Sequence, residues 1–488
     1  MRLFFICGAM ACLLLASCRT GFDGELMENL PPETFTIVDT IIRPGDDRLE
    51  SEVTIRWWGN DPDGFITGYE FTFNSPEDPG TEWAYSANQD SVFILAPPPG
   101  NDTLDFRFYV RAIDNNDARD PSPAALTYPV KNSRPSVVFV PGINNPTISY
   151  PVVKFFWEGS DPDGVNNLAG YEVTWNDSMA TPLYLNASIS NLMLEAIDPG
   201  SATTACRLYL NSSLTPVTDE LDGMLTDAWN KLYIRAVDQS DARSEWVAAD
   251  SVFIKSVNSN ILLVNGYTTG TTPEAFYTEQ LAANGFTSVE TLKIFESVDG
   301  NFTQQSADNL TQEKVFALFD LIVWFSNGAE NSLSLAQRTT ETFFANGGKL
   351  LMSVYVSSSF DPLSNFLEFT PVASLVSPSD TTLILETGAQ LLPEDAGYPE
   401  LESTSIVGIV KPVQLQIGAS AIYTAQLTAK DNATLTFTPW EGESTVIARK
   451  TAGGETTFVL STLELQKLNG LMNMDAFFEQ IIIDEFGF

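Results

Sequence analysis

The chain has 488 residues, 63 of them acidic and 25 basic, for a net charge of −38, with 44% apolar side chains and no histidine. Its length exceeds one ordinary core and predicts about two to four domains, while the apolar share excludes a disordered chain. Acidic residues spread along the whole sequence repel phosphate backbones and exclude nucleic-acid binding. The missing histidine excludes imidazole metal sites, Ser-His-Asp triads and imidazole acid–base chemistry. What remains is a solvated acidic surface, or one that recruits divalent cations.

Arg2 provides a positive start, residues 3–16 are an apolar run, and the run ends Leu15-Ala16-Ser17-Cys18. That ending resembles the lipobox of bacterial lipoproteins. The resemblance implies that 1–17 is a signal peptide, that the Cys18 thiol carries a lipid, and that 18–33 is a polar tether. It implies a lipid anchor in the bacterial cell envelope. Arg19, where sorting to the inner membrane favours Asp, points to the outer membrane, on its periplasmic or its exposed face. No later segment is long and apolar enough to span a bilayer as a helix. Cys7 and Cys12 leave with the signal, so Cys206 is the remaining unmodified thiol and no intrachain disulfide is expected.

From Phe35 onward apolar residues alternate: Val53, Ile55 and Trp57, then Tyr69, Phe71 and Phe73, then Phe106, Phe108, Val110 and Ala112. Period-2 runs between Pro, Gly, Asn and Asp clusters predict a β-sandwich. Two blocks then recur in the same order. Trp57-Trp58-Gly59-Asn60-Asp61-Pro62-Asp63-Gly64 returns as Trp157-Glu158-Gly159-Ser160-Asp161-Pro162-Asp163-Gly164, and Tyr109-Val-Arg-Ala-Ile-Asp114 returns as Tyr233-Ile-Arg-Ala-Val-Asp238. A duplicated module is expected. Trp in the second strand, Tyr in the third and the Tyr-x-Arg-Ala-x-Asp strand resemble fibronectin type III and related immunoglobulin-like modules, over 34–132 and again over 133–257. The second copy holds more chain around 176–228, a polar stretch that includes Cys206.

After Asn260 the period changes. Residues 261–264 and 320–324 read as buried strands, with a helix between them ending at Asn284-Gly285. Leu335, Ala336, Thr339, Phe343 and Phe344 mark one helix that stops at Asn346-Gly347-Gly348, and 349–353 is the next strand. Strands alternating with helices predict a parallel, doubly wound α/β sheet of the flavodoxin-like kind. Residues 362–443 are turn-rich and strand-like, with no assignable order. A hairpin is expected across Ala452-Gly453-Gly454, and Met474, Phe477, Phe478, Ile481 and Ile482 form the stripe of a closing helix. The Gly347-Gly348-Lys349 strand, the late hairpin and the closing helix resemble the class I glutamine amidotransferase-like fold over 258–488. That family places a Cys on the turn after such a strand and a His later. Here the turn is Val354-Tyr355-Val356-Ser357-Ser358 and the chain has no His, so the resemblance implies a catalytically degenerate copy. An unrelated flavodoxin-like sheet is the alternative.

An Asp-Pro-Asp-Gly tetrapeptide is a tight turn on its own terms, Pro presetting φ and Gly accepting a positive one. The resembled sandwich offers a second reading. Its second and sixth strands end at the same pole, which would gather Asp61 and Asp63 with Asp114 and Asp117, and Asp161 and Asp163 with Asp238 and Asp241. Hard oxygen ligands from two loops suit calcium. Ser353 and Ser357 to Ser359 stand where a nucleophile would, without a visible base. The 265–273 loop ends a strand as ligand loops do, but lacks a nucleotide motif. Trp58, Trp83 and Trp175 read as core or strand-pair residues, and Cys206 as inert. The expected function is non-catalytic: spacer modules presenting an α/β domain that binds or scaffolds a protein or glycan partner, with no catalytic residue and no cofactor beyond calcium. The alternatives are a divergent hydrolase in the α/β domain and a calcium-dependent adhesin.

Overall fold

The computed structural model describes residues 28–37, 52–95, 97–98, 103–142, 145–268, 270–295, 305–361 and 369–488. Cys18, the signal peptide and most of the tether lie outside these residues. The chain divides into two compact units: one comprises residues up to 134 with 161–167 and 239–242, the other 135–160, 168–238 and 243–488.

In the first unit, β1 (Glu33–Thr36), β2 (Glu52–Asn60) and β5 (Asp90–Ile94) form one sheet in the order β1-β2-β5. β3 (Ile66–Thr72), β4 (Ala84–Ser86), β6 (Thr103–Asp114) and β7 (Ala124–Lys131) form the other, in the order β4-β3-β6-β7. Alternation puts Val53, Ile55 and Trp57 of β2 against Phe108, Val110 and Ala112 of β6, all buried, because successive side chains on a strand face opposite ways. Two packed antiparallel sheets with this strand order make a fibronectin type III-like sandwich.

The second sandwich repeats the plan with additions. β8 (Ser136–Phe139), β9 (Ile148–Ser149) and β10 (Val152–Ser160) precede β11 (Leu168–Trp175), and β12 (Leu183–Asn186), β13 (Asn191–Ala196), β14 (Thr203–Leu210), β15 (Glu220–Leu225) and β16 (Ala228–Asn230) follow it. The module closes with β17 (Leu232–Asp238), β18 (Val247–Ala248) and β19 (Val252–Ile254). Its sheets run β15-β14-β13-β10-β8 and β12-β11-β17-β18. The extra stretch that reads as polar in sequence is therefore structural. It widens one sheet, and its inward residues, Leu192, Leu194, Cys206 and Leu208, are buried.

The duplicated blocks have a physical account. Glu70 on β3 faces Arg111 on β6, and Glu172 on β11 faces Arg235 on β17, as cross-strand partners. Glu70 meets Arg111 at 2.6 Å and Arg119 at 3.1 Å, and Arg111 lies 4.1 Å from the centre of the Trp83 ring. Glu172 meets Arg235 at 2.6 Å and Arg243 at 3.2 Å, and Arg235 lies 4.4 Å from the centre of the Trp246 ring. Burial works to raise the Glu70 pKa, but the two guanidiniums outweigh it and hold the carboxyl below its usual range. The Gly of each Trp-x-Gly is also steric: a Cβ at Gly159 would stand 2.4 Å from the Tyr171 hydroxyl.

Beyond residue 260, β20 (Ile261–Asn265), β21 (Glu290–Lys293), β22 (Leu321–Ser326), β23 (Lys349–Val354) and the strand Glu455–Ser461 lie parallel in the order β21-β20-β22-β23-(455–461). The strands Thr445–Ala452, Ala419–Ala425, Gln390–Pro393 and Leu401–Glu402 then extend the same sheet antiparallel. A sheet parallel throughout is thus not what forms. The region is mixed, and strand dominates among the described residues, at 43% against 12% helix. The direction changes at the Gly453-Gly454 hairpin, which returns Thr445–Ala452 antiparallel to Glu455–Ser461, and the short strands that follow add antiparallel across long stretches of chain, Leu391 opposite Ala425 for one. The stretch 362–368 lies outside the described residues.

Helices α1 (Glu274–Ala283), α2 (Asn309–Phe316), α3 (Ala329–Thr339), α4 (Glu341–Ala345) and α5 (Met474–Glu479) accompany this sheet. The single helix expected over Leu335 to Phe344 is broken between α3 and α4. There the hydroxyls of Thr339 and Thr340 each donate to a carbonyl four residues back, Leu335 O and Ala336 O, at 2.7 Å. Such back-bonding competes with the helix ladder. The hairpin turns on Gly453 and Gly454, both at positive φ. The closing stripe Met474, Phe477, Phe478, Ile481 and Ile482 is buried, and its last turns widen to a π-helix over Gln480–Glu485.

Candidate functional site

Three places carry chemistry-bearing side chains. The first is the pair of Asp-Pro-Asp-Gly loops. Asp114, buried at the end of β6, accepts from the amides of Asn116 and Ala118 at 2.8 Å each and from Asn29 Nδ2 at 2.5 Å. Burial would raise its pKa, but these donors outweigh it and hold it low. Asp63 accepts from the Leu30 amide at 3.1 Å, and Asn115 Oδ1 accepts from the Phe65 amide at 2.8 Å. The loop after β2 and the loop after β6 do meet at one pole. Asp61 differs from Asp114: burial, reinforced by the nearby Asp63 and Asp114 carboxylates, pushes its pKa up, and its Oδ2 is buried without a hydrogen-bond donor.

In the second copy, Asp163 Oδ2 accepts from the Ser133 amide at 2.5 Å, Asp161 Oδ1 from the Asp163 amide at 2.8 Å, and Asp161 Oδ2 from Asn167 Nδ2 at 3.2 Å. Leu30 and Ser133 play the same part, so each loop grips the chain that leads into its module. Asp238 is buried at the end of β17, in register with Leu168. Asp117 and Asp241 are exposed turn residues in left-handed conformation, each at φ 65°. A left-handed turn position is reason enough for an Asp. Among the described residues, no three Asp, Glu, His or Cys side chains stand together in a metal-holding group.

The second place is the carboxyl end of β23. Ser353 Oγ accepts from Tyr277 Oη at 2.9 Å and from the Leu465 amide at 3.1 Å, and donates to Leu463 O at 3.2 Å. Beside it Tyr267 Oη donates to Glu464 Oε1 at 2.6 Å and accepts from Gln466 Nε2 at 3.0 Å. Ser353 is 1% exposed and Tyr277 1%. A hydroxyl so enclosed, with both its donor and acceptor capacity used, has no opening toward a substrate.

Sequence reasoning missed the third place. Lys411, 4% exposed, donates to the carbonyls of Phe360 at 2.9 Å and Ser358 at 3.3 Å. It lines a cavity of about 130 Å³ with Ser358, Ser377 and Asn432. Burial lowers its pKa, with Asp361 opposing. The signal was a lone Lys inside the apolar run Ile409-Val410-Lys411-Pro412-Val413. Cys206 is buried on β14, and burial pushes its thiol up to about 12, where little thiolate exists at neutral pH. Trp175 is buried and donates to Asn230 Oδ1 at 3.0 Å, whereas Trp58 is 44% exposed and stacks on its cross-strand partner Phe35 at 4.4 Å. Among the described residues no helix is long and apolar enough to cross a membrane.

No protein-family model matches the chain, and no curated protein does. Solved structures that resemble part of it include fibronectin modules. The fibronectin(III)-like modules of Clostridium thermocellum CbhA are 11% identical, covering 46% of this chain and 94% of that one at a TM-score of 0.17. A two-domain fibronectin type III segment of chicken tenascin is 12% identical, covering 45% and 97% at a TM-score of 0.19. The fibronectin-III array of RIM-binding protein is 12% identical, covering 48% and 72% at 0.15. With TM-scores this low, the sandwich assignment rests on the strand orders and registers above.

Proposed function

We propose that this is a non-catalytic, lipid-anchored protein of the bacterial cell envelope. Its fibronectin-like modules act as spacers, and its C-terminal region, a degenerate relative of the class I glutamine amidotransferase-like or flavodoxin-like α/β folds, is a binding or scaffolding head for a protein or glycan. Cys18 carries the lipid, and the outer membrane is the proposed location. The observation that carries the reading is Ser353: the hydroxyl where a nucleophile would be expected is buried and fully hydrogen-bonded, in a chain with no histidine to activate it. The parallel strands, the late hairpin and the buried closing stripe support the α/β resemblance.

The test is a screen of the full chain against ester, amide and glycoside libraries, beside pull-downs with envelope proteins and glycans. No turnover with saturable capture of one partner is the expected result. Lys411 gives the hydrolase alternative its specific observation, since a buried amine with a lowered pKa, held on the Ser358 and Phe360 carbonyls, shares a cavity with Ser358 and Ser377 and is a candidate base. Turnover abolished by Lys411→Met would replace the first reading with that one. Mass spectrometry of protein made in a lipoprotein-processing host checks the anchor, with acyl mass expected on the wild type and none on Cys18→Ala.

A further inference from the structure

The second Asp-Pro-Asp-Gly loop contains an oxygen that its surroundings do not serve. Asp163 and Asn167 are fully buried and Asp161 is 9% exposed. Asn167 spends its amide nitrogen on Asp161 Oδ2, at 3.2 Å, and its carbonyl Oδ1 is buried with no donor. Turning the amide over would set that oxygen against the Asp161 carboxylate, acceptor to acceptor. Folded proteins rarely leave a buried acceptor unserved, and here the same side chain reaches the Asp161 carboxylate through its amide nitrogen. The first loop shows the same deficit at its own place. Asp61 Oδ2 is buried without a donor, and it and Asn115 Oδ1 converge on one point beside Gly64, 2.4 and 2.1 Å from where a Cβ would stand.

We propose that the 161–167 loop binds a hard divalent cation of the calcium class, through the carboxylates of Asp161 and Asp163 and the side-chain carbonyl of Asn167. Oxygen-only ligands select Ca²⁺ or Mg²⁺ over zinc. An irregular loop with carboxylate, amide and backbone oxygens suits the six to eight ligands of Ca²⁺ better than the strict octahedron of Mg²⁺. Because Asp163 also holds the Ser133 amide, an ion there would fasten the loop to the segment leading into the second sandwich. This inference stands whether or not the spacer reading does.

The experiment is calorimetric titration of the full chain, stripped with EDTA, using CaCl₂ and separately MgCl₂ up to about 10 mM, beyond the range of extracellular calcium modules. Circular dichroism confirms that the stripped chain is folded. Saturable heat with Ca²⁺, a weaker response to Mg²⁺ and a melting temperature that rises with Ca²⁺ are expected. Asn167→Ala should weaken binding at least tenfold, and Asp161→Asn should abolish it, both judged only in variants whose circular dichroism matches wild type. Asp61→Asn, in the other loop, should leave that binding in place. No heat from the folded wild type at 10 mM Ca²⁺ would overturn the proposal, as would binding lost in Asp61→Asn but kept in Asp161→Asn and Asn167→Ala.

Discussion

The two sandwiches began as one pattern and now do different structural work. The first closes on its own core of Trp57, Tyr69, Phe108, Val110 and their neighbours. The second has a core of its own around Trp157, and its Tyr150, Val152, Met193 and Tyr209 also belong to the cluster under one face of the C-terminal sheet. Polar contacts follow the same seam. Lys154, fully buried, meets Asp308 at 2.6 Å, and Asp308 in turn caps α2 by accepting from the Thr311 amide at 2.9 Å. Tyr150 donates to Thr291 O at 3.0 Å, and Lys255 meets Glu290 at 3.1 Å. Side chains of the second sandwich and of the C-terminal sheet thus pack in one cluster.

The largest expected effect comes from the paired tryptophans. Trp57→Ala and Trp157→Ala should each cost about 3–5 kcal/mol, but with different reach. Hydrogen exchange read by mass spectrometry should show Trp157→Ala loosening peptides from 260–354 as well as its own sandwich, and Trp57→Ala leaving them protected. Equal, local effects would make the sandwiches equivalent beads. Next is Lys154→Met, which keeps the apolar stem but strands Asp308. Breaking a buried pair costs about 3–5 kcal/mol, and the lower end is expected because Asp308 keeps some solvent. Denaturant unfolding of the full chain should shift only in the transition of the second unit.

The smallest effect is on acid stability. Burial would raise the Asp308 pKa, but Lys154 and Thr311 outweigh it and hold it below the ordinary 3.8. The resulting stability is complete above that ordinary value and lost as pH falls through the lower, folded one. Lys154→Met should flatten this acid loss. Asp61 has the opposite sign: its raised pKa opposes folding at neutral pH and is relieved on acidification. In EDTA, Asp61→Asn should therefore raise the melting temperature of the first unit slightly at pH 7, and less at pH 4.

What the sequence made legible was whatever repeats or alternates. Period-2 runs, the two Trp-x-Gly blocks, the Gly453-Gly454 hairpin and the Met474–Ile482 stripe are local patterns, and each took its expected form. Long-range pairing was not legible. Nothing near Lys154 or Lys411 names its distant partner, though each is a lone cation in an apolar run. The mixed sheet depends on short strands of 372–439 choosing neighbours, and the break at Thr339 and Thr340 depends on two hydroxyl rotamers. In the acidic loops the residue types were legible but not their division of labour. Asp114 organises a turn, Asp63 and Asp163 grip the incoming chain, and Asp117 and Asp241 hold left-handed positions.

Native-state hydrogen exchange of the full chain across a denaturant series tests the account most directly. Peptides from β10, β13 and β14 should lose protection together with those from β20, β22 and β23, in one opening of common free energy and denaturant slope, while β2 and β6 open separately. If the second sandwich instead opens with the first, or alone while the C-terminal sheet stays protected, the fused second unit is contradicted.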